Sequence, residues 1–298
     1  MLLDTPSLYF RAFHGVPTTV TAPDGSPVNA VRGLLDFIAR LVRDHRPDRL
    51  VACLDADWRP AFRVAALPSY KAHRLAADGG ESVPAELSPQ VPVIEAVLGA
   101  IGLARIGVAG YEADDVIGTL AVAAAGPVDI VTGDRDLFQL VRDDQPVRVI
   151  YTAARGVGRA EIVDETAVAR RYGIPGRAYA DFAMLRGDPS DGLPGVAGIG
   201  AKTAAALVTR FGSVAAMLAA LDADETAGFP AGARARLSAA RDYLAAAGPV
   251  VRVAIDVPLP VYDDTQPRSP RNPLRLVELA DRWGLDSALN RLLAALAG

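Results

Sequence analysis

Cysteine occurs once in the chain, at Cys53, so no disulfide can form within it and no thiolate cage can hold a metal. Histidine is almost as scarce: His14, His45 and His73 supply too little imidazole for a zinc site built on that ligand. Long apolar runs are missing too. Uncharged stretches such as Val116–Val128 fall short of the roughly 20 residues that cross a bilayer. The opening Met1-Leu2-Leu3-Asp4 lacks the basic region and cleavage segment of a secretory leader. No membrane partner is expected, and a reducing cytoplasm is the expected setting. What remains is ordinary for a folded protein: 298 residues, 51% hydrophobic and 22% charged, enough for one large domain or two modest ones.

A basic excess is also absent. The 31 Lys and Arg against 35 Asp and Glu leave a net charge of −4, which taken alone argues against a phosphate-rich partner. The average conceals a cluster. Nine acids fall in the motifs described below, and without them 26 acids face 31 bases, so the rest of the chain is basic.

The first half alternates strand-like and helix-like segments. Leu2-Leu3, Leu50 to Leu54 and Val128 to Val131 are apolar runs, each followed by an aspartate. Ala30 to Val42, Val91 to Ile101 and Glu112 to Ala125 carry apolar residues at helical spacing. Near-continuously apolar strands separated by helices predict an α/β fold with a parallel sheet covered on both faces. After about residue 163 the strand signal fades. Short helices are predicted at Val163–Tyr172, Ala178–Leu185, Ala201–Phe211, Val214–Leu221 and Ala231–Ala247, with others near Leu274–Ala280 and Ala288–Ala297. Residues 59 to 90 fit neither half. Arg59, Arg63, Lys71, His73 and Arg74 precede Gly79-Gly80, which suggests a basic arm over an anionic ligand.

Asp4, Asp55 and Asp134 each follow a strand-like run. In an open parallel sheet the carboxyl ends of the strands line the ligand crevice, so three such aspartates would point into one site. A single one could be a turn or a helix cap. Asp136 shares one side of a turn with Asp134, and Glu112, Asp114 and Asp115 open a helix where acids suit the macrodipole. Asp188 and Asp191 lie in the loop Gly187-Asp188-Pro189-Ser190-Asp191-Gly192-Leu193-Pro194-Gly195. So many carboxylates cannot stay ionised together without cations. Oxygen-only ligands select hard divalent ions such as magnesium or manganese, and two ions about 4 Å apart suit phosphodiester hydrolysis.

Gly195-Val196-Ala197-Gly198-Ile199-Gly200-Ala201-Lys202-Thr203 has the wrong spacing for a dinucleotide fingerprint and misses the P-loop by one residue. It reads as a hairpin between two helices whose amides meet a phosphate without reading bases.

In chain order these segments resemble the 5′-nuclease family, comprising the N-terminal 5′→3′ exonuclease domain of bacterial DNA polymerase I, phage exonucleases and flap endonucleases. The stretches are Leu2-Leu3-Asp4, Leu54-Asp55, Phe62-Arg63, Tyr70-Lys71-Ala72-His73-Arg74, Gly110-Tyr111-Glu112-Ala113-Asp114-Asp115, Thr132-Gly133-Asp134-Arg135-Asp136, and Leu185 through Thr203. The resemblance implies a PIN-like catalytic domain over residues 1–163, with a helical arch at about 59–90. It also implies a helix-hairpin-helix module and further helices over 164–298. Asp4, Asp55, Asp114 and Asp134 would surround one metal, and Asp134, Asp136, Asp188 and Asp191 a second, with Glu112 and Asp115 acting directly or through water. Lys71 and Arg63 would neutralise the scissile phosphate. Arg59, Arg63, Tyr70, Lys71 and Arg74, with Gly195, Gly198, Gly200, Lys202 and Thr203 of the hairpin, would contact DNA, and the hairpin would bind a potassium ion. The expected protein is a stand-alone, monomeric 5′→3′ exonuclease and flap endonuclease of replication and repair. A non-catalytic branched-DNA-binding protein would lack an acid of the cluster, and none is missing. Two departures stand out: Thr5-Pro6 follows Asp4 where the family has glycine, and Leu75 to Pro84 is poorly basic.

Overall fold

The computed structural model describes residues 1–77 and 79–298. Six strands form one sheet: β1 (Leu2–Asp4), β2 (Val51–Cys53), β3 (Ala104–Ile106), β4 (Val128–Thr132), β5 (Val147–Tyr151) and β6 (Glu161–Val163), in the order β3-β2-β1-β4-β5-β6. The first five are parallel, and β6 runs antiparallel to β5 at the edge. Every residue of β1 and β2 is buried, which is why both read as unbroken apolar runs rather than as alternating ones.

Successive residues of a strand point to opposite faces, and here they enter two separate cores. Leu2, Val51, Ile130 and Val149 join one core with Val116, Ile117, Phe182 and Leu207. Leu3, Ala52, Val131 and Ile150 join the other with Leu8, Leu34, Ile38 and Leu289. Helices Thr5–Gly15, Asn29–His45 and Asp286–Ala297 therefore cover one face. Helix Ala113–Ala123 and the helices from Tyr179 to Val251 cover the other.

Helix Thr5–Gly15 follows β1 directly. Asp4 caps it and Pro6 sits in its first turn, where a missing N–H costs nothing because that amide would have no partner. Thr5-Pro6 in place of glycine is thus compatible with the cap. Past Val163 the described residues contain helices and no strand. The expected continuous stretch Ala231–Ala247 is two helices, Ala233–Ala239 and Arg241–Val251.

The segment 59–90 departs from a helical arch. It holds a six-residue helix, Ala61–Ala66, a 3-10 turn, Ala72–Arg74, and an isolated bridge between Leu75 and Glu81 before helix Gln90–Ile101 begins. Gly79, Gly80, Pro84 and Pro89 interrupt any longer helix. Asp78, within this segment, lies outside the described residues. No single helix among the described residues is long and apolar enough to cross a membrane.

Candidate active site

Three neighbouring parallel strands, β2, β1 and β4, bring Asp55, Asp4 and Asp134 to the same edge of the sheet. The strand order also reverses there, since β2 and β3 lie on one side of β1 and β4 on the other. Such a switch point opens a crevice at the carboxyl ends of the strands. Asp4 is 5% exposed. It accepts from Ser7 N at 3.1 Å and from Thr132 Oγ1 at 2.5 Å. Thr132 Oγ1 in turn accepts from Asp134 N at 2.8 Å, and Ser7 Oγ accepts from Gly133 N at 2.9 Å. Thr132 and Ser7 therefore hold the Asp134 turn against Asp4. The sequence reading missed both, because a threonine ending a strand and a serine in a helix turn look like ordinary structural choices. Asp55 accepts from Ala113 N at 2.8 Å, fixing the start of helix Ala113–Ala123, and with it Asp114, beside β2.

Burial first, and neighbouring negative charge second, raises the pKa of five of these acids. Burial pushes Asp4 up to about 7, with the charges of Asp55 and Asp134 adding. Loss of water pushes Asp55 and Asp191 up to about 6. Burial acts more strongly on Asp4, since Asp55 is an exposed residue. Asp114 rises well above the carboxylate range through burial and then through Asp4, Asp134 and Glu112. Asp136 does so through burial and then through Asp134, Asp191 and Asp188. The carboxylates at the strand ends, on the helix start and in the Asp188–Asp191 loop thus form one electrostatic group.

A cation fits this group. Asp136 Oδ1 is buried and has no hydrogen-bond partner, an arrangement that costs about 1–3 kcal/mol unless something satisfies it. Among the described residues, no three acids or imidazoles already close on one point at ligating distance. The open acceptor on Asp136 and the all-oxygen donor set match a hard divalent ion.

Residues 1–173 match the family model described as "5'-3' exonuclease, N-terminal resolvase-like domain", and residues 174–273 match "5'-3' exonuclease, C-terminal SAM fold". The chain belongs to the 5'-3' exonuclease family. It is 62% identical over 301 residues to a 5'-3' exonuclease of Streptomyces coelicolor, covering 99% of both chains. A 5'-3' exonuclease of Mycobacterium tuberculosis is 50% identical over 310 residues, with 99% of this chain and 97% of the relative covered. Among solved structures, the bacteriophage T5 flap endonuclease in a complex with DNA and metal ions superimposes with a TM-score of 0.64 at 18% identity, over 100% of this chain and 99% of that one. That last likeness shows the fold.

Within this family frame the nine acids are not equivalent. Asp115 is fully buried and all four of its acceptor positions are occupied. Arg63 donates to both of its oxygens at 2.6 and 2.7 Å, Ala254 N at 2.7 Å and Glu112 N at 3.1 Å. Glu112 Oε2 accepts from Arg63 Nη1 and from Tyr70 Oη, both at 2.7 Å, and its Oε1 pairs with Lys71. The expectation that Glu112 and Asp115 serve a metal is corrected for Asp115, whose lone pairs are spent. Glu112 keeps only a constrained share.

Arg63 also needs correcting. It is 2% exposed and its guanidinium binds Glu112, Asp115 and the carbonyls of Val250 and Arg252, so it cannot face a phosphate. Tyr70 is 3% exposed with its hydroxyl on Glu112, which removes it as a stacking platform. Arg59 donates to Tyr70 O and Pro68 O at 2.6 and 2.7 Å, bracing the loop rather than reaching outward.

Lys71 stays at the site. Its backbone is left-handed at φ 48, a conformation that costs a non-glycine residue about 1–2 kcal/mol. Lys71 N donates to Asp191 O at 3.1 Å, Arg74 donates to Ser190 O and Asp191 Oδ1, and Ser69 Oγ donates to Gly192 O at 3.0 Å. These bonds staple residues 69–74 to the Asp188–Asp191 loop. Asp188 itself is buried and held by Ser190, Arg186 and, at 3.5 Å, Arg135.

The hairpin lies between helices Tyr179–Arg186 and Ala201–Phe211. Gly195 has φ 71, and a Cβ there would sit 2.6 Å from the Arg186 carbonyl, so only glycine lets the two turns meet. Val196 and Ile199 are buried anchors, whereas Gly198, Gly200 and Lys202 are exposed and Thr203 is half-buried. Arg236 donates to Gly198 O at 3.2 Å. The sequence alone gave no sign of this extra basic group at the hairpin tip.

Proposed function

We propose that this chain is a divalent-metal-dependent 5′→3′ exonuclease and 5′-flap endonuclease that hydrolyses phosphodiesters of branched or 5′-ended DNA in replication and repair, acting as a cytoplasmic monomer. The observation that carries the reading is the unpartnered buried oxygen of Asp136 within a carboxylate group whose Asp188–Asp191 loop runs directly into a glycine hairpin and an uncapped helix start. Asp4, Asp55, Asp114 and Asp134 would hold one magnesium or manganese ion, and Asp134, Asp136 and Asp191 a second, with Asp188, whose oxygens are taken up by Ser190, Arg186 and Arg135, serving it through water. When bound, such ions supply an ionised water and stabilise the entering and departing oxygens of the phosphodiester.

The chain's own residues set the substrate in place. The hairpin amides, Lys202, Thr203 and Arg236 would grip backbone phosphates of the duplex, a contact blind to sequence and sensitive to salt. A potassium ion at the hairpin belongs to the same reading. Lys71 Nζ, held by Glu112 beside the acids, would balance charge on the scissile phosphate. Arg63 and Tyr70 would act through Glu112, keeping its carboxylate oriented. Arg74 would fix Asp191.

Cleavage of a 5′-flap DNA and of a 5′-ended duplex by the purified chain with magnesium tests this. Wild type should cut both, and Asp136→Asn should lose at least about a hundredfold in rate, since ion-borne stabilisation is worth several kcal/mol at about 1.4 kcal/mol per tenfold. Equal cleavage by the two proteins would refute the reading.

A further inference from the structure

Asp136 Oδ1 is not the only unmet polar atom beside the acids. Tyr179 opens helix Tyr179–Arg186, which leads straight into the Asp188–Asp191 loop. It is fully buried, and its hydroxyl has no hydrogen-bond partner among the described residues. Packing does not account for that hydroxyl. The ring meets Phe138 and Tyr172 edge-on, with centroids 5.5 and 5.1 Å away, and Phe182 at 5.9 Å. Phenylalanine would fill the same space, whereas a buried hydroxyl left unmet costs about 1–3 kcal/mol. Buried tyrosines ordinarily find a partner for it. The neighbours supply one. Phe138, against the ring, belongs to the 3-10 turn Asp136–Leu140 that Asp136 opens. Burial, then Tyr172 and Asp136, push the phenol's pKa up, and the opposing cations are Arg186 and Arg135, which converge on Asp188 at 3.2 and 3.5 Å. Tyr179 is thus a neutral donor at neutral pH. Asp136 Oδ1 is a buried acceptor in the same neighbourhood, and the two do not bond each other directly. A buried water, which typically makes about three hydrogen bonds to groups of this kind, joins them.

We propose that Tyr179 is a positioning residue for the divalent ion that Asp136 would hold: its hydroxyl hydrogen, relayed by one buried water, fixes the Oδ1 side of the Asp136 carboxylate. A carboxylate oxygen has two acceptor positions, so Oδ1 can take this water and still face a cation. A carboxylate tethered from behind presents one orientation to its ion, and outer partners of this kind change metal affinity about 10–100-fold. The hydroxyl therefore contributes to the ion's site and not to the fold. The inference deepens the nuclease reading and rests on it.

The test uses the full chain, without DNA, and compares wild type, Tyr179→Phe and Tyr172→Phe. Manganese binding is titrated by the electron paramagnetic resonance of the free ion, and melting is followed in EDTA and in magnesium. Tyr179→Phe should melt with wild type in EDTA, gain less from magnesium, and bind manganese about tenfold more weakly at one site with the other unchanged. Tyr172→Phe, which removes a half-buried hydroxyl from the same ring cluster, should bind as wild type does. On a 5′-flap DNA, Tyr179→Phe should need more magnesium to reach half its maximal rate and should approach the wild-type kcat once magnesium saturates. Three results overturn the inference while the nuclease reading stands: manganese binding by Tyr179→Phe equal to wild type, a lower melting point for it in EDTA, or an equal loss of binding in Tyr172→Phe. If wild type itself takes up no manganese and cuts no flap, both fall.

Discussion

Replacing Arg63 with methionine separates a positioning role from a phosphate-binding one. In wild type the guanidinium neutralises two buried carboxylates, Glu112 and Asp115, through bonds of 2.6–2.7 Å, and ties Val250 and Arg252 through their carbonyls. Methionine keeps the apolar stem but leaves both acids without their cation. Breaking a buried pair in this way costs about 3–5 kcal/mol, because the remaining charge has no water to return to. At about 2–4 °C per kcal/mol for a chain of this size, melting should fall by on the order of 10 °C. Urea denaturation at neutral pH, with tryptophan fluorescence as the signal, measures the loss. The triple variant Arg63→Met, Glu112→Gln, Asp115→Asn should recover part of it, since uncompensated charge is the main cost. A residue that faced DNA would behave differently: removing it would leave stability nearly unchanged and flatten the salt dependence of binding. An unfolding free energy within about 1 kcal/mol of wild type, together with such flattening, would refute the buried-network account.

Two further expectations follow from the same geometry. Between pH 4 and 7 the folded, metal-free protein holds protons on Asp4, Asp55 and Asp191 that the unfolded chain has released, so its stability should fall as pH rises through that window and level off above it. Asp4 alone accounts for about 4 kcal/mol at about 1.4 kcal/mol per pH unit. Magnesium should cancel the fall, and melting scans from pH 5 to 8 with and without the ion would show parallel curves if the idea is wrong. Gly192→Ala should break the staple between residues 69–74 and the Asp188–Asp191 loop. Its φ is 74 and a Cβ would lie 2.2 Å from Ser69 O. The expected cost is about 1–3 kcal/mol or more, read by melting and by faster proteolysis of residues 67–88; an unchanged cleavage pattern would count against the staple.

The parts of the fold legible in the sequence were those fixed by local pattern. β1, β2 and β4 are buried on both faces, so their apolar runs and terminal aspartates stood out. β3 and β5 did not, because Arg105 and Arg148 interrupt them on an exposed side, and β6 is three residues long. Helix Thr5–Gly15 escaped notice because Pro6 reads as a breaker until its place in the first turn is known. The acidic residues of the site were visible as motifs, but their division of labour was not. Nothing in the spacing of Arg63 and Asp115, 52 positions apart, tells a guanidinium that meets a carboxylate from one that meets a phosphate. Burial decides between them, and burial is a property of the whole chain.

The C-terminal end of helix Arg241–Val251 and the residues just past it act as a keystone. Val250 and Arg252 accept from Arg63, Ala254 donates to Asp115, and Gln139, three residues past Asp136, is clasped between Val251 and Val253. A stretch some hundred residues downstream of the acids therefore braces the helix and turn that carry them. Modularity is limited as a result: evolution or engineering cannot exchange the helical C-terminal half for another without also rebuilding the scaffold under the acids.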